Sequence, residues 1–212
     1  MTKKDTAGFT ITELMFAMTF LSVLLLILLG SIIQITRTYN KGITMKRVNQ
    51  SGRTLGEEMT RSLQQANPKD VVYKANNGRL CLGSYSYVWN IEPTEESPGI
   101  TSNVYQGDGQ KVNFVKVEDP GKVLCTDTLP PVQKDKAKEL LGDGLVARDP
   151  TAFNTVITES TATSNNSIVT MRYTVSTPEN DLFDETGRCK GGAGDDFCAL
   201  NTFDVTVYTK GN

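Results

Sequence analysis

Histidine is absent from the 212 residues, which removes Ser-His-Asp and Cys-His nucleophile pairs and every His-ligated metal site. The chemistry left to the chain sits in three groupings. The first is Gly8-Phe9 followed by Glu13, the only ionisable side chain in residues 9–35, an almost wholly apolar run. A charge inside hydrocarbon is expensive and is kept only where it has a partner or lies at the interface, so Glu13 demands an explanation. The second grouping is the four cysteines, Cys81, Cys125, Cys189 and Cys198, all beyond the apolar run. The third is acidic: residues 177–200 hold Glu179, Asp181, Asp184, Glu185, Asp195 and Asp196 against only Arg188 and Lys190.

Each grouping has a plain reading beside the sharp one. An even cysteine count in an exported domain reads as two disulfides. Three pairings exist; closeness in sequence favours Cys189–Cys198, which leaves Cys81–Cys125. No Cys-x-x-Cys occurs, so a zinc site built from all four thiolates is the weaker alternative. The acidic stretch offers oxygen ligands for calcium, with Asp181, Asp184, Glu185, Asp195 and Asp196 as candidates, but it matches no fixed ligand spacing. A solvated, disulfide-stapled loop is the plainer reading, and no cofactor is expected. Gly191-Gly192-Ala193-Gly194 lacks the Lys-Ser/Thr of a phosphate loop. Tyr85, Tyr87 and Trp89 read first as core or cross-strand pairs, and second as a strip for sugar or a partner. No nucleophile motif or paired-carboxylate spacing is present, so no enzyme activity is expected.

These groupings need elements to hold them. At about 1.5 Å per residue, residues 9–35 would make a helix of about 40 Å, beyond the roughly 30 Å of a bilayer core. Residues 1–8 form a short hydrophilic leader with Lys3 and Lys4. No Ala-x-Ala follows Ile35, and no cysteine ends the apolar run, so neither a cleaved secretory signal nor a lipoprotein signal fits. A plain signal anchor remains, but it leaves Glu13 and Gly8 without a purpose. Past residue 36 the pattern becomes amphipathic. Ile35, Tyr39, Ile43, Val48, Leu55, Met59 and Leu63 fall mostly at helical spacing, with Gly52 filling one gap on that face. The helix is expected to stop at about Asn67, before Pro68. One continuous helix over 9–66 would reach about 87 Å.

From residue 68 the pattern is β. Strands are expected over 70–75, over 79–91 (one, or two meeting near Gly83-Ser84), and over 111–117, 122–126, 153–158, 167–176 and 201–210, where Tyr208 breaks the alternation. A short charged helix is expected over 134–141, stopped by Gly142. Residues 92–110 and 177–200 are expected to be exposed loops, and 159–166 a polar linker. The sum is an α+β fold, a long N-terminal helix packed on an antiparallel β-sheet head.

Gly8-Phe9, Glu13 five residues past the glycine, Thr10 and Leu14 around it and the apolar run behind resemble the N-terminus of a type IV pilin or pseudopilin. The resemblance covers about the first thirty residues. It implies cleavage after Gly8 by a prepilin peptidase, N-methylation of Phe9, and pairing of Glu13 with the N-terminal amine of a neighbouring subunit. Many pilins carry proline where this chain has Gly30, which makes Gly30 a candidate for local helix melting in a filament. The order of elements after residue 134 is loosely similar to the heads of larger minor pilins of the PilW or pseudopilin-J-like group. The implied domains are a leader (1–8), a transmembrane and filament-core helix (9–35), its amphipathic half (36–67) and a β-rich head (68–212).

The implied role is a structural minor pilin of a type IV pilus or type II secretion pseudopilus, single-pass in the cytoplasmic membrane, with its head outside the cytoplasm and then in a filament. Partners would be other pilins, the prepilin peptidase and the inner-membrane assembly platform. The alternative is a membrane-anchored or tip-borne binding module for adhesion or DNA uptake. A net charge of −2 gives no sign of direct nucleic-acid binding. One rule opposes this topology. Lys3 and Lys4 face Arg37, Lys41, Lys46, Arg47 and Arg53 across the span, which would keep the head in the cytoplasm. Large domains translocate largely regardless of charge, and the cysteines favour an oxidising compartment.

Overall fold

The computed structural model describes residues 8, 10–74, 77–92, 103–142, 144–148, 154–159, 166–184, 186–192 and 194–210. Most of the leader, Phe9, Glu185, most of the 92–110 loop and most of the 159–166 linker therefore lie outside the described residues. The chain is α+β, with one long N-terminal helix and largely antiparallel sheets. It divides into two compact units, Met1–Asn40 and Lys41–Asn212. Helix α1 (Ile11–Gln65, 55 residues) contributes to both.

In the first unit α1 is long and apolar enough to cross a membrane, by length and composition. Its large side chains, among them Phe16, Phe20, Leu26 and Ile33, are exposed. The hydroxyls on this stretch do not compete for outside partners. Those of Thr19, Ser22, Ser31, Thr36 and Thr38 donate to carbonyls three or four residues back, at 2.8–3.0 Å. A helix surrounded by hydrocarbon has to satisfy its polar groups in this internal way.

In the second unit two five-stranded sheets and the end of α1 enclose one core. The first sheet has the order β1 (Val71–Lys74), β2 (Arg79–Leu82), β3 (Tyr85–Trp89), β5 (Phe114–Glu118), β6 (Ala137–Glu139). The second has β10 (Leu200–Lys210) beside β9 (Asn166–Ser176), then β7 (Val146–Arg148) and β4 (Ile91–Glu92), with β8 (Asn154–Glu159) also on β9. The β4–β7 pair is parallel and the others are antiparallel. The shared core takes Val48, Leu55, Met59 and Leu63 from α1, Leu80, Leu82, Tyr87, Trp89 and Phe114 from the first sheet, and Val169, Met171, Tyr173, Val175 and Val207 from the second.

Period-2 alternation explains which side chains arrive there. Leu80, Leu82, Tyr87, Trp89 and Phe114 face α1, and Trp89 stacks on Phe114 with ring centroids 5.4 Å apart. The aromatic strip is therefore core rather than a sugar platform, with only Tyr85 exposed among the three. The opposite face of the first sheet is buried too. Val88, Val115 and Val117 pack with Val112, Leu124 and Val132 of the segment 103–132. Within that segment residues 106–110 are exposed, as expected of the 92–110 loop, but Asn103 departs from it. Asn103 is fully buried, with its side chain donating to the carbonyls of Asn77 and Trp89 at 2.7 Å.

Three further expectations are corrected. Residues 122–126 form a 3-10 turn (Val123–Cys125), because the Asp119 carboxylate accepts from the backbone of Val123 and Leu124 at 2.9 Å, and N–H groups so taken cannot join a ladder. Residues 134–141 are a 3-10 turn (Lys134–Lys136) followed by β6, which pairs Val117 with Ala137 and Val115 with Glu139. The Glu139 carboxylate accepts from Phe114 N at 2.9 Å and fixes that register over the helical propensity of the segment. The buried face of α1 begins at Val48, while Tyr39 and Ile43 are exposed. The Tyr208 irregularity also resolves. Tyr208 points outward, and Thr209 continues the inward series.

Close approach of α1 to β9 and β10 rests on Gly52 and Gly56. Tyr173 donates its hydroxyl to Gly52 O at 2.7 Å and stacks on Phe203. A Cβ on Gly52 would clash with the edge of the Phe203 ring, and one on Gly56 would lie 2.5 Å from the Tyr173 hydroxyl. Helix propensity alone makes Gly→Ala favourable by about 1 kcal/mol. Here overpacking wins, and Gly52→Ala is expected to destabilise by about 1–3 kcal/mol, read as a lower denaturant midpoint at unchanged slope.

The contact of α1 with β5 of the first sheet carries a pH-dependent pair. Lys116 Nζ donates to Glu58 at 2.6 Å and lies 4.1 Å from the centre of the Tyr85 ring. The hydrogen bond from Lys116 holds the Glu58 carboxyl below its ordinary range. A carboxyl lowered in the folded state contributes stability above its unfolded pKa and loses it as pH falls through the folded value. Urea midpoints measured from about pH 7 down to about pH 3 should therefore decline less steeply for Glu58→Gln than for the parent chain.

Candidate assembly site at the helix N-terminus

α1 starts with a reciprocal cap. Thr10 donates its backbone N–H and its hydroxyl to Glu13 Oε2 at 3.0 and 2.8 Å. Glu13 N donates to Thr10 Oγ1 at 3.3 Å, and Leu14 N donates to Thr10 O at 3.2 Å. Thr10 is thus the N-cap and Glu13 sits three residues into the helix, which is the capping-box arrangement. It satisfies helix-end N–H groups and places a carboxylate at the positive end of the helix dipole. The spacing Thr10-Ile11-Thr12-Glu13 carries this signal; Thr10 stands in the N-terminal motif, but its part as a cap is seen only in the structure. Glu13 Oε1 accepts no hydrogen bond among the described residues, so that edge of the carboxylate is open to an outside donor.

Gly8 is exposed and adjoins this cap. Phe9 lies outside the described residues. Gly30 is helical, and α1 runs unbroken through it. An added Cβ there would meet nothing within 4 Å.

The cysteines form the disulfides Cys81–Cys125 and Cys189–Cys198, with Cα atoms 6.3 and 5.8 Å apart. All four are thereby consumed, which removes the zinc alternative. Cys81–Cys125 is buried and ties β2 to the 122–126 turn, while Cys189–Cys198 closes a loop of the acidic segment. The acidic side chains there do not converge. Asp184 Oδ1 accepts from Thr186 N, Thr186 Oγ1 and Arg188 N, and these bonds, the Thr186 hydroxyl foremost, hold its carboxyl below the usual range. Asp195 pairs with Lys41 at 2.5 Å, and Asp196 O accepts from Thr44 Oγ1 at 3.2 Å. Asp181 is exposed. Among the described residues no three acidic, histidine or cysteine side chains are placed to hold a metal ion.

Comparison with protein-family models, with curated proteins and with solved structures finds no match for this chain.

Proposed function

We propose that this chain is a structural subunit of a type IV pilus or a related type II secretion pseudopilus. On this reading it is made as a membrane precursor, cleaved after Gly8, N-methylated at Phe9 and packed into a filament through α1. Its partners are other pilin or pseudopilin subunits, the prepilin peptidase and the inner-membrane assembly platform, and the chemistry at Gly8 belongs to the peptidase. The observation that carries the proposal is Glu13, a single carboxylate at the head of an apolar helix directly behind Gly8-Phe9, with one oxygen left open. The exposed apolar surface of α1 and the two disulfides agree with a membrane-anchored chain whose head lies in an oxidising compartment.

The deciding experiment is N-terminal mass spectrometry of the protein from its own cells, with and without the prepilin peptidase. The expected result is a chain starting at N-methylated Phe9 that reverts to the uncleaved form when the peptidase is absent. A functional chain that retains residues 1–8 would overturn the proposal.

One observation favours a second reading. The capping box gives Glu13 a local purpose that needs no neighbouring subunit. A membrane-anchored binding module, with α1 as a plain anchor, would then account for the same residues.

A further inference from the structure

β10 is an edge strand: it pairs with β9 along its full length, and its other side has no partner among the described residues. The hydrogen-bonding parity of that free side can be read directly. Thr177 N donates to Ala199 O at 3.0 Å, which makes residues 177 and 199 a bonded pair. In an antiparallel ladder, alternate residues then turn inward and the ones between turn out. Thr202 N–H faces outward accordingly, and the Asn201 side chain occupies it at 2.9 Å. From Asp204 through Thr206 to Tyr208 the outward N–H and C=O groups are unclaimed among the described residues.

Beside this edge runs an open groove of 570 Å³, walled on one side by Arg53, Glu57, Arg61 and Gln64 of α1 and on the other by Phe203 to Val205. The two walls run in step. Four residues along α1, from Gly52 to Gly56, move the nearest β10 contact two residues, from Phe203 to Val205. Those steps are about 6 Å and about 7 Å, so helix and strand advance together in the same direction. Arg53, Glu57 and Arg61 are exposed and recur every four residues, about 6 Å apart. Neither arginine makes an ion pair among the described residues.

We infer that this groove accepts an extended acidic segment of a partner protein, added as a strand to β10. Its backbone bonds to the outward groups of Asp204, Thr206 and Tyr208, as in strand addition elsewhere. Its helix-facing side chains lie about 7 Å apart, so residues i and i+4 span about 13 Å against about 12 Å between Arg53 and Arg61. The fitting sequence has a carboxylate at i, a cation at i+2 opposite Glu57 and a carboxylate at i+4. Bidentate carboxylate–guanidinium bonds set its register. This assignment does not depend on the filament role of α1.

The test uses the full chain in detergent micelles and a fluorescent Thr-Glu-Val-Lys-Val-Glu-Thr peptide followed by anisotropy. Saturable binding is expected, at least tenfold weaker for the charge-inverted Thr-Lys-Val-Glu-Val-Lys-Thr. Of two versions N-methylated at alternate amides, one should lose at least tenfold and the other should bind like the parent peptide. The double variant R53E/R61E should reverse the charge preference while keeping the parent thermal midpoint. Were that variant unable to fold, the charge-inverted peptide on the unaltered chain still tests the same contacts. Equal binding of both charge versions, or indifference to both N-methylated forms, overturns the inference. So does a β10-mediated dimer of this chain that the acidic peptide fails to displace.

Discussion

On the proposed filament role, Glu13→Gln is expected to remove the chain from filaments as completely as Glu13→Val, by about a hundredfold or more. The two substitutions separate the roles available to Glu13. Glutamine keeps the carbonyl oxygen that accepts from Thr10, and a capping box takes Glu or Gln at this position. Valine keeps its own N–H on Thr10 Oγ1 but loses the side-chain half of the box, the oxygen that accepts from Thr10. If capping were the whole purpose of Glu13, the glutamine variant would behave like the parent. On the proposed reading Glu13 also neutralises the amine of a neighbouring Phe9 in apolar surroundings, and glutamine cannot. Leaving one member of a desolvated charge pair alone costs about 3–5 kcal/mol, and 1.4 kcal/mol is a factor of ten. The measurement is the amount of chain in sheared filaments relative to the membrane fraction, with membrane insertion unchanged as the control. Parent-like incorporation of Glu13→Gln would leave the cap as the sufficient explanation and remove the main support for the filament role.

How far the sequence was legible depends on whether the deciding interaction was local. The long helix was legible because an apolar run followed by helical spacing is a one-dimensional signal. The β2–β3 hairpin was legible because its alternation and the turn at Gly83-Ser84 lie within a few residues of each other, whereas β9 and β10 were legible only as separate strands, since residues 177–199 lie between them. The turn at 122–126 was misread because Val123, Leu124 and Cys125 look like a strand, and the Asp119 side chain that redirects their N–H groups does not alter the apolar pattern. The segment 134–141 was misread because Lys, Ala, Glu and Leu favour helix, while its partner β5 is about twenty residues away in sequence. At the candidate site, Gly8, Phe9 and Glu13 stood out by type and position. Thr10 stood in the same motif, but its capping role did not show, although its spacing to Glu13 was readable, because a threonine among apolar residues suggests a cap only once one is sought.

The second large effect lies in the head. Arg79→Met is expected to destabilise it by about 3–5 kcal/mol, a loss of roughly 10 °C in thermal midpoint for a chain of this size. Arg79 is 1 % exposed, on the face of β2 turned away from α1. Burial lowers the pKa of its guanidinium, and the nearby Asp119 carboxylate counters that shift. Its Nε and Nη2 donate to Asn103 Oδ1 at 3.1 and 2.8 Å, Nη1 to Leu124 O at 2.6 Å, and Nη2 also to Pro130 O at 3.2 Å. The side chain therefore knits the 103–132 segment onto the sheet, while Asp119 holds the opposite end of the Val123–Cys125 turn through its N–H groups. Methionine matches the apolar stem but leaves two buried acceptors, Asn103 Oδ1 and Leu124 O, and the half-buried Pro130 O short of a donor, and Asp119 without its nearby cation. Each unsatisfied buried group costs about 1–3 kcal/mol. Lysine keeps the charge but not the planar fork, so Arg79→Lys should recover only part of the loss. The Cys81–Cys125 disulfide still ties the turn to β2 in both variants. Reducing it in Arg79→Met should therefore lower the midpoint more than reduction does in the parent chain. Equal drops in the two proteins would mean that guanidinium and disulfide hold the turn independently.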